Sequence, residues 1–141
     1  MHGLTITYEW HDQDVLSVLV HVANGAFSGV AQVYVSLDGP SSWAKTIGRG
    51  PQGAGASCEV SLGAFDPECA GGGACLKLVP VDRQGHLACS VTLHDRHVGT
   101  DNVETLTAIL LTEPALVDQF VAELSQFKME YDHSAVLRMA T

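Results

Sequence analysis

The stretch that decides the fold is Val15-Leu16-Ser17-Val18-Leu19-Val20-His21-Val22-Ala23-Asn24-Gly25-Ala26-Phe27-Ser28-Gly29-Val30-Ala31-Gln32-Val33-Tyr34-Val35. In its first half, Leu16, Val18, Val20 and Val22 fall on one face of an extended chain, and Val15, Ser17, Leu19 and His21 on the other. Apolar residues occupy both faces, so this strand is predicted to lie inside a sheet rather than at its edge. Asn24-Gly25 supplies two residues that tolerate positive φ, and the strand pattern resumes from Phe27 to Ser36, which predicts a hairpin.

Towards the N-terminus, Leu4 to Trp10 is rich in β-branched and aromatic residues, and His11-Asp12-Gln13-Asp14 is a short polar break before the strand from Val15 to Val22. That reads as a preceding hairpin. In the other direction Asp38-Gly39-Pro40 ends the third strand. Ser41 or Ser42 then stands where a cap is needed for a short helix through Trp43, Ala44 and Ile47, stopping at Gly48. Gly48 to Gly55 holds four glycines and a proline and reads as a loop, because ordering such a backbone costs much entropy for little burial.

Cys58 to Leu62 reads as a brief strand, and Gly63 to Gly73 as a second glycine-rich connection. Cys75 to Val81 and His86 to Leu93 flank Asp82-Arg83-Gln84-Gly85, with the glycine where a hairpin loop with a bulge requires one. Pro80 has no N–H to give a ladder, so its strand is expected to lie at an edge or to bulge there. His94 to Asn102 is polar and is read as exposed loop.

After a strand from Val103 to Thr112, Pro114 suits the first turn of a helix, with Thr112 or Glu113 as its cap. Leu116, Val117, Phe120, Val121, Leu124 and Phe127 recur at helical spacing over about 113–128, making one wide apolar stripe that must lie against the sheet. Residues 129–141 are left open between a last strand and an ordered tail. The expected fold is α+β in one domain, 1–141: a mostly antiparallel sheet, sandwich-like or strongly curved, of about six to seven strands. One short helix and the C-terminal amphipathic helix complete it.

Totals narrow the function. The chain has 141 residues, 46% apolar and 16% charged, a balance that suits a single packed domain and not a disordered chain. Sixteen acids against seven Lys and Arg give −9, and the basic residues are scattered, which disfavours nucleic acid as a partner. The start lacks a basic segment followed by an apolar run, and no stretch reaches the roughly 18–20 apolar residues that span a bilayer. The expectation is therefore a cytoplasmic protein without a membrane partner. There Cys58, Cys69, Cys75 and Cys89 would remain thiols.

No catalytic motif emerges, and no cofactor is expected. Imidazole and carboxylate do gather in one segment, where His94, His97 and Asp101 offer metal-ligand chemistry, but the spacing fits no established site and the preferred reading is an exposed polar loop. Cys69 and Cys75 lie further apart than zinc-knuckle pairs. The glycine series lacks the strand, helix and lysine of a phosphate cradle.

Several segments together resemble the WapI-like bacterial immunity proteins and small bacterial proteins similar to them. They are Asn24-Gly25-Ala26-Phe27-Ser28-Gly29 leading to Val33-Tyr34-Val35, then Leu62-Gly63 with its glycine-rich turn, then Asp82-Arg83-Gln84-Gly85-His86. The last are Thr112-Glu113-Pro114-Ala115-Leu116 and Phe120-Val121-Ala122-Glu123-Leu124. The resemblance implies a non-enzymatic protein that binds and neutralises a cognate toxin by surface complementarity, and it carries no catalytic residues over. An acidic protein suits a basic partner, and Asp95, Asp101 and Glu104 are the first candidates for its contact surface. The alternative is a small-molecule-binding or hydrolytic β scaffold using His/Asp or Cys groups. A third reading is a homodimer through a sheet edge or the outer helix face, since Val103 to Leu111 is apolar for a solvated edge.

Overall fold

The computed structural model describes residues 2–50, 57–63, 72–96 and 103–140. Among them are eight strands and two helices, in two antiparallel four-stranded sheets arranged as a sandwich. The first sheet has β1 (Gly3–His11), β2 (Leu16–Ala23), β3 (Ser28–Val35) and β8 (Ser134–Arg138), in the order β3-β2-β1-β8. The second is a meander of β4 (Cys58–Gly63), β5 (Gly73–Pro80), β6 (Leu87–Arg96) and β7 (Val103–Thr112) in chain order.

The deciding stretch folds as its pattern dictates. β2 lies between β1 and β3, and Leu16, Val18, Val20 and Val22 are fully buried on its inner face, opposite Val35, Val33, Ala31 and Gly29 of β3. In the turn, Asn24 Oδ1 accepts from the N–H groups of Ala26 and Phe27, and Gly25 adopts φ +93°. The side chain thus satisfies two turn donors while the glycine supplies the positive φ.

β3 then crosses the end of the second sheet. Gly63, Gly73, His94 and Thr105 form one row across that sheet. Beside this row Gln32 O accepts from Gly72 N at 2.8 Å, a Cβ on Gly63 would collide with Val33, and one on Gly29 would lie 2.6 Å from Leu106. At the opposite end, β8 meets β7: Ala140 N donates to Leu111 O at 2.8 Å and Thr112 Oγ1 to Arg138 O at 3.0 Å. Two sheets joined at both corners enclose one continuous apolar core.

The helices fill the remaining opening. α1 (Gly39–Arg49) contributes Trp43, Ala44 and Ile47 to the core, and α2 (Pro114–Ser125) contributes Val117, Phe120 and Leu124. They pack on each other, α1 against β4 and α2 against β8. Glu123 of α2 also accepts from Val136 N at 3.1 Å and pairs with Arg138 at 3.4 Å, which covers the outer edge of β8. Edge donors left bare invite strand pairing with other chains, and Glu123 removes one of them.

Four sequence expectations need correction. α1 starts at Gly39 with Asp38 as cap residue, not at Ser41 or Ser42, because Pro40 fits the first turn, where its missing N–H is not required. Gly48 lies inside that helix, and the stop is Gly50, at φ +66° with its N–H on Ile47 O. β5 is an interior strand without a register shift. Among the described residues β4 pairs with it only as far as Cys58 opposite Leu78, and Pro80 pairs with Leu87 on the β6 side. His94 to Arg96 are strand, since β6 continues in register with β7 through Arg96 opposite Val103. The open tail supplies β8.

Candidate functional site

Antiparallel register fixes which side chains share a face. Leu93 stands opposite Leu106 and Asp95 opposite Glu104, with the buried Val91–Ala108 and Cys89–Leu110 pairs before them on the same inward face. The two carboxylates therefore continue the core face of the sheet past the point where the core ends. Side chains directly opposite in such a pair have Cβ atoms about 4.5–5.5 Å apart. Both residues are exposed.

Beside them β3 begins. Ser28, Gly29 and Val30 face Leu93 and Leu106 across a cleft of about 270 Å³, with Asp95 and Glu104 at its rim. The lack of a side chain on Gly29 is what lets Leu106 come so close. Chemically the site is a short apolar trough ending in two acids. A cation with an aliphatic stem matches both parts.

The crowded segment foreseen in the sequence is divided by the sheet. His94 lies opposite Thr105 on the outward face, while its neighbour Asp95 points to the cleft side, because successive strand residues alternate. His97 and Asp101 lie outside the described residues. Among the described residues no three His, Cys, Asp or Glu side chains gather as a metal set would require.

The thiols take separate places. Cys58 and Cys89 are buried on the inner face of the second sheet, and Cys75 lies on its outer face. The Cys75 thiol lies 3.5 Å from Glu59 Oε1 and 3.9 Å from Ser61 Oγ, and burial raises its pKa, the opposite of what a nucleophile needs. Cys69 lies outside the described residues.

A polar and aromatic cluster that sequence reading did not single out sits on the outer face of the first sheet. Glu9 Oε1 accepts from Ser17 Oγ at 2.6 Å and Gln32 Nε2 at 2.7 Å, and the rings of Trp10 and Tyr34 meet at 5.9 Å between centroids. Ser17 is completely buried beneath them. The signal available was a serine interrupting an otherwise aliphatic strand.

No family model matches this chain, and neither the curated proteins nor the solved structures gave a match. No helix among the described residues is long and apolar enough to cross a membrane.

Proposed function

We propose that this chain is a binding protein that acts without catalysis, an immunity protein of the WapI-like kind that neutralises a cognate toxin by covering a basic surface. The observation that supports this most is the Asp95–Glu104 pair at the rim of the cleft. Two carboxylates side by side attract a lysine or arginine from a partner, its stem lying on Leu93 and Leu106 and its charge near both acids. The net charge of −9 adds long-range steering towards a basic surface.

The alternative, a small-molecule-binding or hydrolytic scaffold using His/Asp or Cys groups, has less support. This particular cleft, of about 270 Å³, falls below the roughly 300–1,000 Å³ usual for ligand pockets, and burial raises the pKa of the Cys75 thiol, against a nucleophilic role. The test is co-expression with the product of each neighbouring gene. One toxic product is expected to lose its toxicity and to co-purify with the chain as a defined complex. If no neighbour is neutralised or bound, the reading falls.

A further inference from the structure

On the outer face of the first sheet, β1 presents two consecutive residues to the same side. In a regular strand Glu9 and Trp10 would point to opposite faces. The pairing with β2 slips between Tyr8, opposite Val18, and Trp10, opposite Ser17. This bulge leaves Glu9 without a partner of its own and turns both side chains outward. The contacts fix their directions: Glu9 bonds to Ser17 and Gln32, and Trp10 meets Tyr34, all outward-facing residues.

The carboxylate is set in advance. Ser17 and Gln32 both donate to Oε1, which leaves Oε2 outside that network, and Gln32 Nε2 also reaches Ser17 Oγ at 3.2 Å. Trp10 keeps 40% of its surface exposed beside it. The adjoining turn adds Asp12 and Asp14, and residues 9–14 contain no Lys or Arg. An indole beside a fixed carboxylate on an acidic corner matches one side chain above others. Arginine offers a planar guanidinium that stacks on an aromatic face while its N–H groups reach a carboxylate, whereas the compact lysine ammonium gains little from stacking.

We propose that Glu9, Trp10 and Tyr34 form an arginine-recognition subsite for a basic protein partner, the guanidinium lying on the open indole face with its N–H groups on Glu9. This rests on the binding reading above and adds a second anchor, at the opposite end of β3 from the acidic cleft. Tryptophan and tyrosine anchors of this kind carry much of the energy at protein interfaces. A carboxylate held by its own hydrogen bonds loses little freedom when it is engaged.

The probe is an N-acetylated hexa-arginine amide, titrated at low ionic strength and followed by tryptophan fluorescence. The chain has two tryptophans, and Trp43 is only 6% exposed in the core, so an early response reports Trp10. The expected result is saturable binding that hexalysine amide, at equal charge, matches only several-fold more weakly. Glu9→Gln keeps an acceptor oxygen for Ser17 and Gln32, so it folds, and it weakens binding roughly tenfold, as loss of a charged hydrogen bond does. Trp10→Ala, at an exposed position, removes the preference for hexa-arginine over hexalysine when read by calorimetry, which also senses the acidic cleft, and Glu59→Gln on the other sheet changes nothing. Equal affinity for hexalysine, indifference to Glu9→Gln, or binding of neutral maltohexaose in place of the peptide overturns the proposal. If Glu9→Gln and Trp10→Ala still neutralise the cognate toxin fully, the subsite is wrong while the binding reading stands.

Discussion

Asp95 and Glu104 stand directly opposite each other on β6 and β7, on the face that carries the core further along the same strands. A sheet gains nothing from two like charges in register, and such pairs cost about 0.2–1 kcal/mol. Asp95→Asn is therefore expected to raise stability by that order at low salt, with the gain shrinking as salt screens the pair. The same substitution is expected to weaken capture of a basic partner. Chemical denaturation at low and high ionic strength, beside a binding assay, checks both halves. A variant that loses stability at low salt would contradict this view of the pair.

Ser17 is the only described polar residue besides Thr112 that is completely shielded from solvent. Its hydroxyl lies between Glu9 and Gln32, so Ser17→Ala removes a donor from a carboxylate and leaves the partly buried amide of Gln32 with one acceptor fewer. Partners stranded in this way cost about 1–3 kcal/mol. A double-mutant cycle of Ser17→Ala with Gln32→Ala is expected to show coupling, because both act through Glu9. Strict additivity would mean that the three residues are neighbours and not a network.

How far the sequence could be read depended on whether local pattern or distant contact controls each segment. The hairpins at Asn24-Gly25 and Gly85 and the helix after Pro114 follow from local rules, since turn φ, alternation and capping act over a few residues. His94 to Arg96 looked like loop because their side chains are polar. Backbone pairing with β7 holds them as strand regardless, a tertiary effect that propensity does not carry. The bulge at Glu9 was equally hidden, because nothing in Tyr8-Glu9-Trp10 announces a register slip. Charge alone nominates Asp95, Asp101 and Glu104, and the register that sets Asp95 opposite Glu104 across two strands is visible only in the structure.

The glycines of the second connection show the same division. Gly63 and Gly72 read as loop composition, but they allow β3 to cross the end of the second sheet. A Cβ on Gly72 would strike His94 O and lie 3.2 Å from Gln32 O, both backbone atoms that cannot swing aside. Gly72→Ala is expected to cost about 1–3 kcal/mol, as overpacking does, and to disturb the cleft beside it. Amide spectra should show shifts concentrated at Gln32, Val33 and His94. Unchanged stability with silent amides there would place β3 elsewhere.

Acid should reveal the turn carboxylates. Asp12 accepts from the N–H groups of Asp14 and Val15, which lower its pKa below the usual 3.8. The side-chain bond from His86, at 2.6 Å, is the largest of the influences that lower Asp82. A carboxyl whose pKa is lower folded than unfolded contributes stability that is complete above the unfolded value and fades as pH falls through the folded one. The gap in denaturation midpoint between the natural chain and Asp12→Ala should thus stay constant above about pH 5 and narrow below 3.8, and the gap for Asp82→Ala should narrow over the same acid range. Both residues are exposed, so the gap is small, and its direction is the test. A gap that widens towards pH 2 has the wrong sign.

The thiols give a test of the inner face. Cys58 pairs with Leu78 and Leu78 with Cys89, so the two buried thiols share a face with β5 between them. Strands are about 4.8 Å apart, which separates these positions by roughly 9.6 Å, beyond the 7 Å or so that a disulfide can bridge. Burial pushes the Cys89 thiol up to about 12 and raises Cys58 and Cys75 as well, which leaves little reactive thiolate near neutrality. In a Cys69→Ser background at pH 8, a thiol-specific chromogenic reagent is expected to label Cys75 slowly and to leave Cys58 and Cys89 untouched until denaturant is added. All three should then react. Fewer than three on unfolding would mean that a disulfide had formed, and three at once in the folded protein would mean that the two sheets do not enclose the core described here.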